Sequence, residues 1–335
     1  MENIKTIKIV NHSISYEVNP YTELFGVMSI LANKSKLYRQ AGDERFNKNY
    51  RDEILKWFNP FEKHKALSLL TGYTDKYQFN YDAPCAFFLE LSDNTKGFSD
   101  YICKERLPIS TNKINEFALE IESFIQDTDF KGFYLSNEKR YKRSISFFLN
   151  LTESYSPEKY LFSFIGEKPK QFTVNLMHSV TNSNYGLRTE KKLYVCIAPN
   201  GSSDRDGEPN FAFELSDITS LILHELAHSF INPMTDKYEN ILKNINKELF
   251  CEVFEYNPYG NNLKTAINET IIRSIECMYI KDFFPNEFAE FLNFYLSRGF
   301  SQIPKVIDLL KQFKKERESY NTLDCFYPEI LASFL

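Results

Sequence analysis

His224, Glu225 and His228 stand in the chain as H-E-x-x-H, within the string Leu221–Pro233, LILHELAHSFINP. Residues four apart on a helix share a face, about one turn apart. Two imidazole nitrogens can therefore aim at one point, and Zn²⁺ accepts such nitrogens at about 2.0–2.1 Å. Glu225 follows His224 by roughly a third of a turn. Its carboxylate falls beside the metal rather than on it, where it can take a proton from a metal-bound water. The chain has only 5 His, so two of them around a Glu form a specific signal. Leu221, Ile222, Leu223, Leu226, Ala227, Phe230 and Ile231 make the other faces apolar. A buried helix must find partners for two His and a Glu, because unpaired buried polar groups are costly. The plain alternative is a core helix whose imidazoles meet ordinary hydrogen-bond partners.

A catalytic zinc usually takes three protein ligands and a water. The longer pattern H-E-x-x-H-x-x-G-x-x-H is absent: Ile231 stands at its Gly, Met234 at its last His, and no His lies downstream. The third ligand is then a carboxylate, or His178 from upstream. Glu269 is the first candidate. It lies in Ala266–Ile272, AINETII, an apolar helical stretch, and a buried carboxylate needs a cation or several donors. Glu276, one heptad on, is the second candidate, as ligand or as support for one. Alternatively, Glu269 is a helix-face acid paired with Arg273 at i+4.

His224-Glu225-Leu226-Ala227-His228 followed by Asn268-Glu269 resembles the gluzincins, zinc metallopeptidases with two His and a downstream Glu ligand. That resemblance covers roughly residues 190–285. The string HELAHSFINP also resembles an uncharacterised bacterial family described as a domain of unknown function. Arg298-Gly299-Phe300 and Phe326-Tyr327-Pro328 extend that likeness toward the C-terminus. The gluzincin resemblance implies His224, His228 and Glu269 on zinc and Glu225 as proton acceptor. Thermolysin-like members carry an acid four residues after the Glu ligand. Here that place is Arg273. A supporting partner for a ligand His must come from elsewhere, with Asn232 and Glu276 the candidates. No motif marks a residue for the oxyanion; Tyr256, Tyr259, Tyr185, Tyr279 and His178 are the candidates.

The elements that must hold this site are mostly helical. The chain of 335 residues suffices for one or two domains. Aromatics reach 16% and Gly numbers only 11, which favours helices packed through rings. A net charge of -5 argues against a general nucleic-acid binder. No run of 18 apolar residues exists, so no membrane span is expected, and no secretory h-region opens the chain. Six Cys without a C-x-x-C pair read as reduced packing residues, so the expected location is cytoplasmic.

Residues 4–18 alternate as a β-hairpin, with His12 in its turn. Helical periods follow over 21–31, 44–58, 60–71, 84–91, 113–125 and 137–151. The last carries a basic run, Lys139, Arg140, Lys142 and Arg143, which reads as a solvated face. Gln171–Met177 and Lys192–Ala198 read as an antiparallel pair around a turn at 181–189. Leu193–Ala198 and Asn210–Phe213 are candidate edges for an extended substrate. Asn200–Asn210 is a polar loop whose Asp204, Asp206 and Glu208 lack the full calcium-loop pattern. After Pro233, helices are expected over 236–254, 264–281, 285–296, 303–318 and 328–335.

The expected fold is α+β, mainly helical. It has a zincin-like core with a small antiparallel sheet beside the H-E-x-x-H helix. A boundary near 165 separates an N-terminal region, 1–165, from a metallopeptidase region, 166–335, unless both form one domain. The expected function is zinc-dependent hydrolysis of a peptide or protein substrate. The other reading is an inactive metallopeptidase-like binding protein with structural zinc or none.

Overall fold

The computed structural model describes residues 4–11, 14–32, 48–77, 79, 82–93, 109–152, 155–168, 171–180, 184–189, 192–199, 209–211, 213–256 and 262–335. His12, Tyr259 and the acids of the 200–208 loop lie outside them. The fold is α+β, with many helices and one five-stranded sheet. The chain divides into two compact units, Met1–Leu151 with Gln171–Phe213, and Thr152–Lys170 with Glu214–Leu335. The expected single boundary near 165 thus becomes several crossings. The physical cause is strand pairing, which holds 171–213 to the N-terminal hairpin.

Unit 1 contains β1 (Ile7–Asn11), β2 (Ile14–Val18), α1 (Pro20–Leu31), α2 (Lys48–Phe58), α3 (Lys65–Tyr77) and α4 (Asp82–Asp93). It continues with α5 (Thr111–Asp127), α6 (Phe130–Ser136) and α7 (Glu138–Thr152), then β3 (Phe172–Leu176), β4 (Tyr185–Arg188) and β5 (Leu193–Ile197). The hairpin forms as expected, with Ile7 opposite Val18. The sheet order is β1-β2-β3-β5-β4 and the sheet is mixed. β3 runs parallel to both β2 and β5, so the expected antiparallel pairing of β3 with β5 is corrected. Both strands are buried at every position; β3 alternates Phe172, Val174 and Leu176 with Thr173 and Asn175 while β5 runs apolar, and neither pattern carries a strand's direction. β4 occupies the stretch expected as a turn and pairs antiparallel with β5. Leu193–Ile197 therefore lies inside the sheet and offers no edge to a substrate. The described part of Asn210–Phe213 is not a strand.

α1 begins at Pro20, with the Asn19 side chain accepting from the Tyr21 N–H, and every residue in it is buried. Gly26 is required there: a Cβ would lie 1.9 Å from Ser179 Oγ. The close approach brings the buried Glu23 carboxylate onto the chain after β3. Glu23 accepts from the His178 N–H at 2.6 Å, the Ser179 N–H at 3.4 Å and the Tyr50 hydroxyl at 2.8 Å. Tyr50 also meets the Tyr141 hydroxyl at 2.6 Å. The His178 ring contacts Ser144 Oγ at 2.9 Å. Burial, then the Arg140 charge, pulls its pKa down to about 3, so it stays neutral.

Unit 2 comprises α8 (Pro157–Ile165), α9 (Leu215–Lys237), α10 (Glu239–Leu242), α11 (Cys251–Tyr256), α12 (Leu263–Phe283), α13 (Phe288–Leu296), α14 (Ile303–Lys315) and α15 (Leu323–Ala332). α9 packs on α8 and α12, and α12 on α13 and α14. α9 runs through Pro233 for one more turn. Proline removes one backbone bond inside a helix. The turn survives because Ile231, Met234 and Thr235 are buried and Thr235 Oγ1 bonds both Asn268 and Tyr327. The helix expected over 236–254 is instead three short pieces: α10, a 3-10 turn at Lys247–Phe250, and α11.

Burial outweighs the three donors to Glu23 and pushes its pKa up from 4.5 to about 7. Below about 4.5 the folded and unfolded states both hold the proton; between about 4.5 and 7 the folded state alone holds it. The stabilisation is full at low pH and is lost as pH rises through about 7, by roughly 3 kcal/mol. Trp57, the single Trp, lies in unit 1 and reports this in urea titrations. Neutral His178 acts in the opposite sense, gaining stability as pH rises to about 6.5. The parent should therefore stay roughly level from about pH 5 to 6.5 and then fall toward about pH 8, whereas Glu23→Gln should rise to about pH 6.5 and level off.

Candidate metal centre

Two helices of unit 2 build the site. α9 supplies His224, Glu225 and His228, and α12 supplies Glu269, Arg273 and Glu276. His224, Glu225, Glu269 and Glu276 are all buried. The helices are tied at one end by Thr235, Asn268 and Tyr327, whose hydroxyls and amide bond one another in the core. Asn268 is thus a clamp beside the acid that follows it. Tyr327 draws α15 into the same knot.

His224, His228 and Glu269 converge. Their Nε2 atoms are 3.2 Å apart. Glu269 Oε1 lies 3.4 Å from His228 Nε2, and Oε2 lies 3.7 Å from His224 Nε2. Ligands about 2.0–2.2 Å from a tetrahedral centre stand about 3.3–3.6 Å from one another. The two ring nitrogens and the carboxylate oxygen facing each of them stand at separations close to these, and one atom from each residue lies within 4.8 Å of the others.

The other ring nitrogens explain why the lone pairs turn inward. His224 Nδ1 lies 2.9 Å from Glu276 Oε2, and His228 Nδ1 lies 3.3 Å from Asn232 Oδ1. Each Nδ1 faces an acceptor, so it carries the hydrogen and leaves Nε2 as a donor to a cation. The Tyr295 hydroxyl holds Glu276 at 3.3 and 3.4 Å. Arg273 Nη2 donates to Glu269 Oε2 at 2.8 Å. Its guanidinium lies 4.7 Å from the Tyr295 ring centre and 4.9 Å from that of Phe300. Gly299, at φ 85°, makes the turn that delivers Phe300; a Cβ there would meet the Glu252 backbone at 2.4 Å.

The electrostatics ask for positive charge. Burial alone would raise the Glu269 carboxyl, but Arg273, His224 and His228 outweigh it and hold it below the ordinary value. Burial pulls His224 down, yet Glu276 and Glu269 push it up to about 9. A cation bound here displaces that proton. With neutral imidazoles, the carboxylates of Glu225, Glu269 and Glu276 against one guanidinium leave a formal charge of -2, which a divalent ion cancels. Side-chain exposure is 18% at His228 against 10% at His224 and 5% at Glu269, so solvent reaches the cluster on the His228 side.

Glu269 lies in one cluster with the two His and is also paired with Arg273 at i+4. Glu276 and Asn232 take the supporting roles. His178 is not in the cluster; it is held in unit 1 by Glu23 and Ser144. Tyr185 also belongs to unit 1, in β4. Tyr279 is buried on α12 against Tyr160 and Phe283. The Tyr256 side chain lies outside the described residues. Sequence reasoning missed Tyr295 and Phe300. Phe300 sits in the Arg-Gly-Phe string already singled out; Tyr295 carried no signal among 21 Tyr.

The fold and site define an α+β protein with a largely buried His-His-Glu group that could hold a metal ion. The model of the family Domain of unknown function (DUF4932) matches residues 14–333, so the chain belongs to that family. No curated protein and no solved structure matches it. Among the described residues, no helix is long and apolar enough to cross a membrane.

Titration calorimetry on chelator-treated protein should show near-equimolar uptake of a divalent cation. His228→Ala and Glu269→Ala should abolish it. Glu276→Gln, which keeps shape but weakens the acceptor behind His224, should lower affinity by about 10–100-fold.

Proposed function

We propose that this protein is a zinc-dependent peptidase of the gluzincin type, with His224, His228 and Glu269 as the metal ligands and Glu225 as the proton carrier. The observation that carries the reading is the convergence of two ring nitrogens 3.2 Å apart on one carboxylate, whose two oxygens lie 3.4 and 3.7 Å from them, beside the buried Glu225 on the same helix. Two imidazoles and one carboxylate are a donor set that suits zinc and leaves one position for solvent or substrate. Zinc bound there would lower the pKa of its water toward 7 and polarise a scissile carbonyl.

Glu225 lies on the same helix as both His, roughly 100° round from His224. It accepts the proton of the attacking water and returns one to the leaving amine. Glu276 and Asn232 fix the tautomers of the ligand imidazoles, and Tyr295 steadies Glu276. Arg273 occupies Glu269 Oε2, and Oε1, which faces His228, is the oxygen that would be offered to a cation. The 18% exposure of His228 marks the side from which a peptide would enter.

One observation favours a second reading, a metallopeptidase-like binding protein. Glu269 has a salt-bridge partner in Arg273 whether or not a metal is bound. A structural site, however, gives no work to Glu225.

Glu225→Gln should retain equimolar zinc and lose hydrolysis of a peptide library by about 10²–10⁴-fold. Full zinc in a parent protein that cleaves nothing, or equal rates in parent and variant, would transfer the assignment to the second reading.

A further inference from the structure

Unit 1 carries an open cleft of about 970 Å³ that has no part in the metal centre. Glu53, Lys56 and Trp57 of α2 form one wall, and Lys139, Arg140 and Arg143 of α7 form the other. Four cations and one carboxylate thus face a single concavity on a chain of net charge -5.

Arg140 is already engaged. Its two terminal nitrogens reach the two Glu53 oxygens at 2.8 Å each, and its guanidinium lies 4.8 Å from the Tyr50 ring centre. It also donates to Asn137. This bidentate pair neutralises Glu53 and makes that part of the wall rigid. Lys142, in the same basic run, pairs with Glu138 at 2.7 Å. Lys56, Lys139 and Arg143 are exposed, and among the described residues no carboxylate pairs with them. The run thus holds Arg140 matched within the cleft wall and Lys142 matched outside it, and leaves Lys139 and Arg143 unmatched along the cleft. Unmatched cations in a concavity raise the local potential and concentrate anions.

Trp57 adds a planar surface. Its Nε1 donates to the Thr128 carbonyl at 3.0 Å, and its ring meets Phe133 edge-on at 5.5 Å between centroids. The indole is fixed on one side, yet 39% of the residue stays exposed. An immobilised, open aromatic face beside unpaired cations fits a ligand with a flat ring at one end and several negative charges at the other. Bases stack on such faces with little regard to their identity.

We propose that this cleft binds a nucleoside polyphosphate, with the base against Trp57 and the phosphates on Lys139, Arg143 and Lys56. The shared chemistry with inorganic pyrophosphate is the phosphate anion; the indole separates the two. The site is independent of the peptidase reading and stands or falls without it.

Trp57 is the only Trp in the chain, so its emission reports on the cleft alone. The full chain, in buffer with chelator, is titrated with ADP, ATP, AMP and pyrophosphate, excited at the red edge of indole absorption. Each titration is repeated by calorimetry. ADP and ATP should change the emission saturably with micromolar to low-millimolar affinity, and AMP should bind more weakly. Pyrophosphate should compete with ADP without quenching. A double variant, Lys139→Glu with Arg143→Glu, should weaken ADP binding by at least about tenfold. Both positions are exposed, so its thermal midpoint should match the parent. If that variant is unstable, Lys139→Gln with Arg143→Gln should show a smaller loss in the same direction. The proposal is overturned if neither ADP nor ATP gives saturable binding by either method. It is equally overturned if the charge variants bind as the parent does, or if only single-stranded oligonucleotides bind.

Discussion

Unit 2 is arranged around a concentration of negative charge and lone pairs in a buried place. Two imidazole nitrogens and two carboxylate oxygens approach within 3.2–3.7 Å, and a second carboxylate stands behind one ring. Such a group is expensive without positive charge, because burial removes the water that would solvate it. The chain meets part of this demand itself. Arg273 lies over the rings of Tyr295 and Phe300 and is pinned to Glu269, and a proton on His224 supplies more. A divalent cation would supply the rest.

That demand accounts for features some distance from the donors. Glu276 must be fixed to orient His224, and Tyr295 fixes it. Arg273 must lie flat, and Phe300 gives it a floor. Phe300 reaches that position only because Gly299 adopts a positive φ against the Glu252 backbone. The two site helices must not slide, and the Thr235–Asn268–Tyr327 knot locks them at the Pro233 end. A proline inside α9 is tolerated because Thr235, in the turn beyond it, is held by Asn268, Tyr327 and the Ile231 carbonyl.

Unit 1 treats buried charge differently. Glu23 lies in an apolar helix and is surrounded by donors from backbone and tyrosine, with no cation in contact among the hydrogen bonds described. His178 lies next to it and stays neutral. A buried acid with neutral donors gains protons rather than metal. The two units therefore separate two fates of a buried carboxylate: one shifts its pKa up, and the other, flanked by cationic partners, shifts down.

Much of the site was legible in the chain because helical periodicity is a local rule. H-E-x-x-H needs only 3.6 residues per turn to bring His224 and His228 together. An acid in an apolar run, as at Glu269 and Glu276, betrays a buried partner. The hairpin at 7–18 and most helix locations follow from the same local patterns. Other features depend on partners distant in sequence. β3 and β5 are buried on both faces, and their direction and order came from pairing with β2, β4 and each other. Whether α9 would cross Pro233 depended on side chains near residues 268 and 327. Tyr295 became part of the site only through the angle at which α13 meets α12. In the basic run at 139–143, Lys142 meets Glu138 at i+4 on its own helix, but only α2 standing against α7 brought Glu53 to Arg140. Spacing along one helix determines which atoms can share a face; contact between helices determines what stands opposite them.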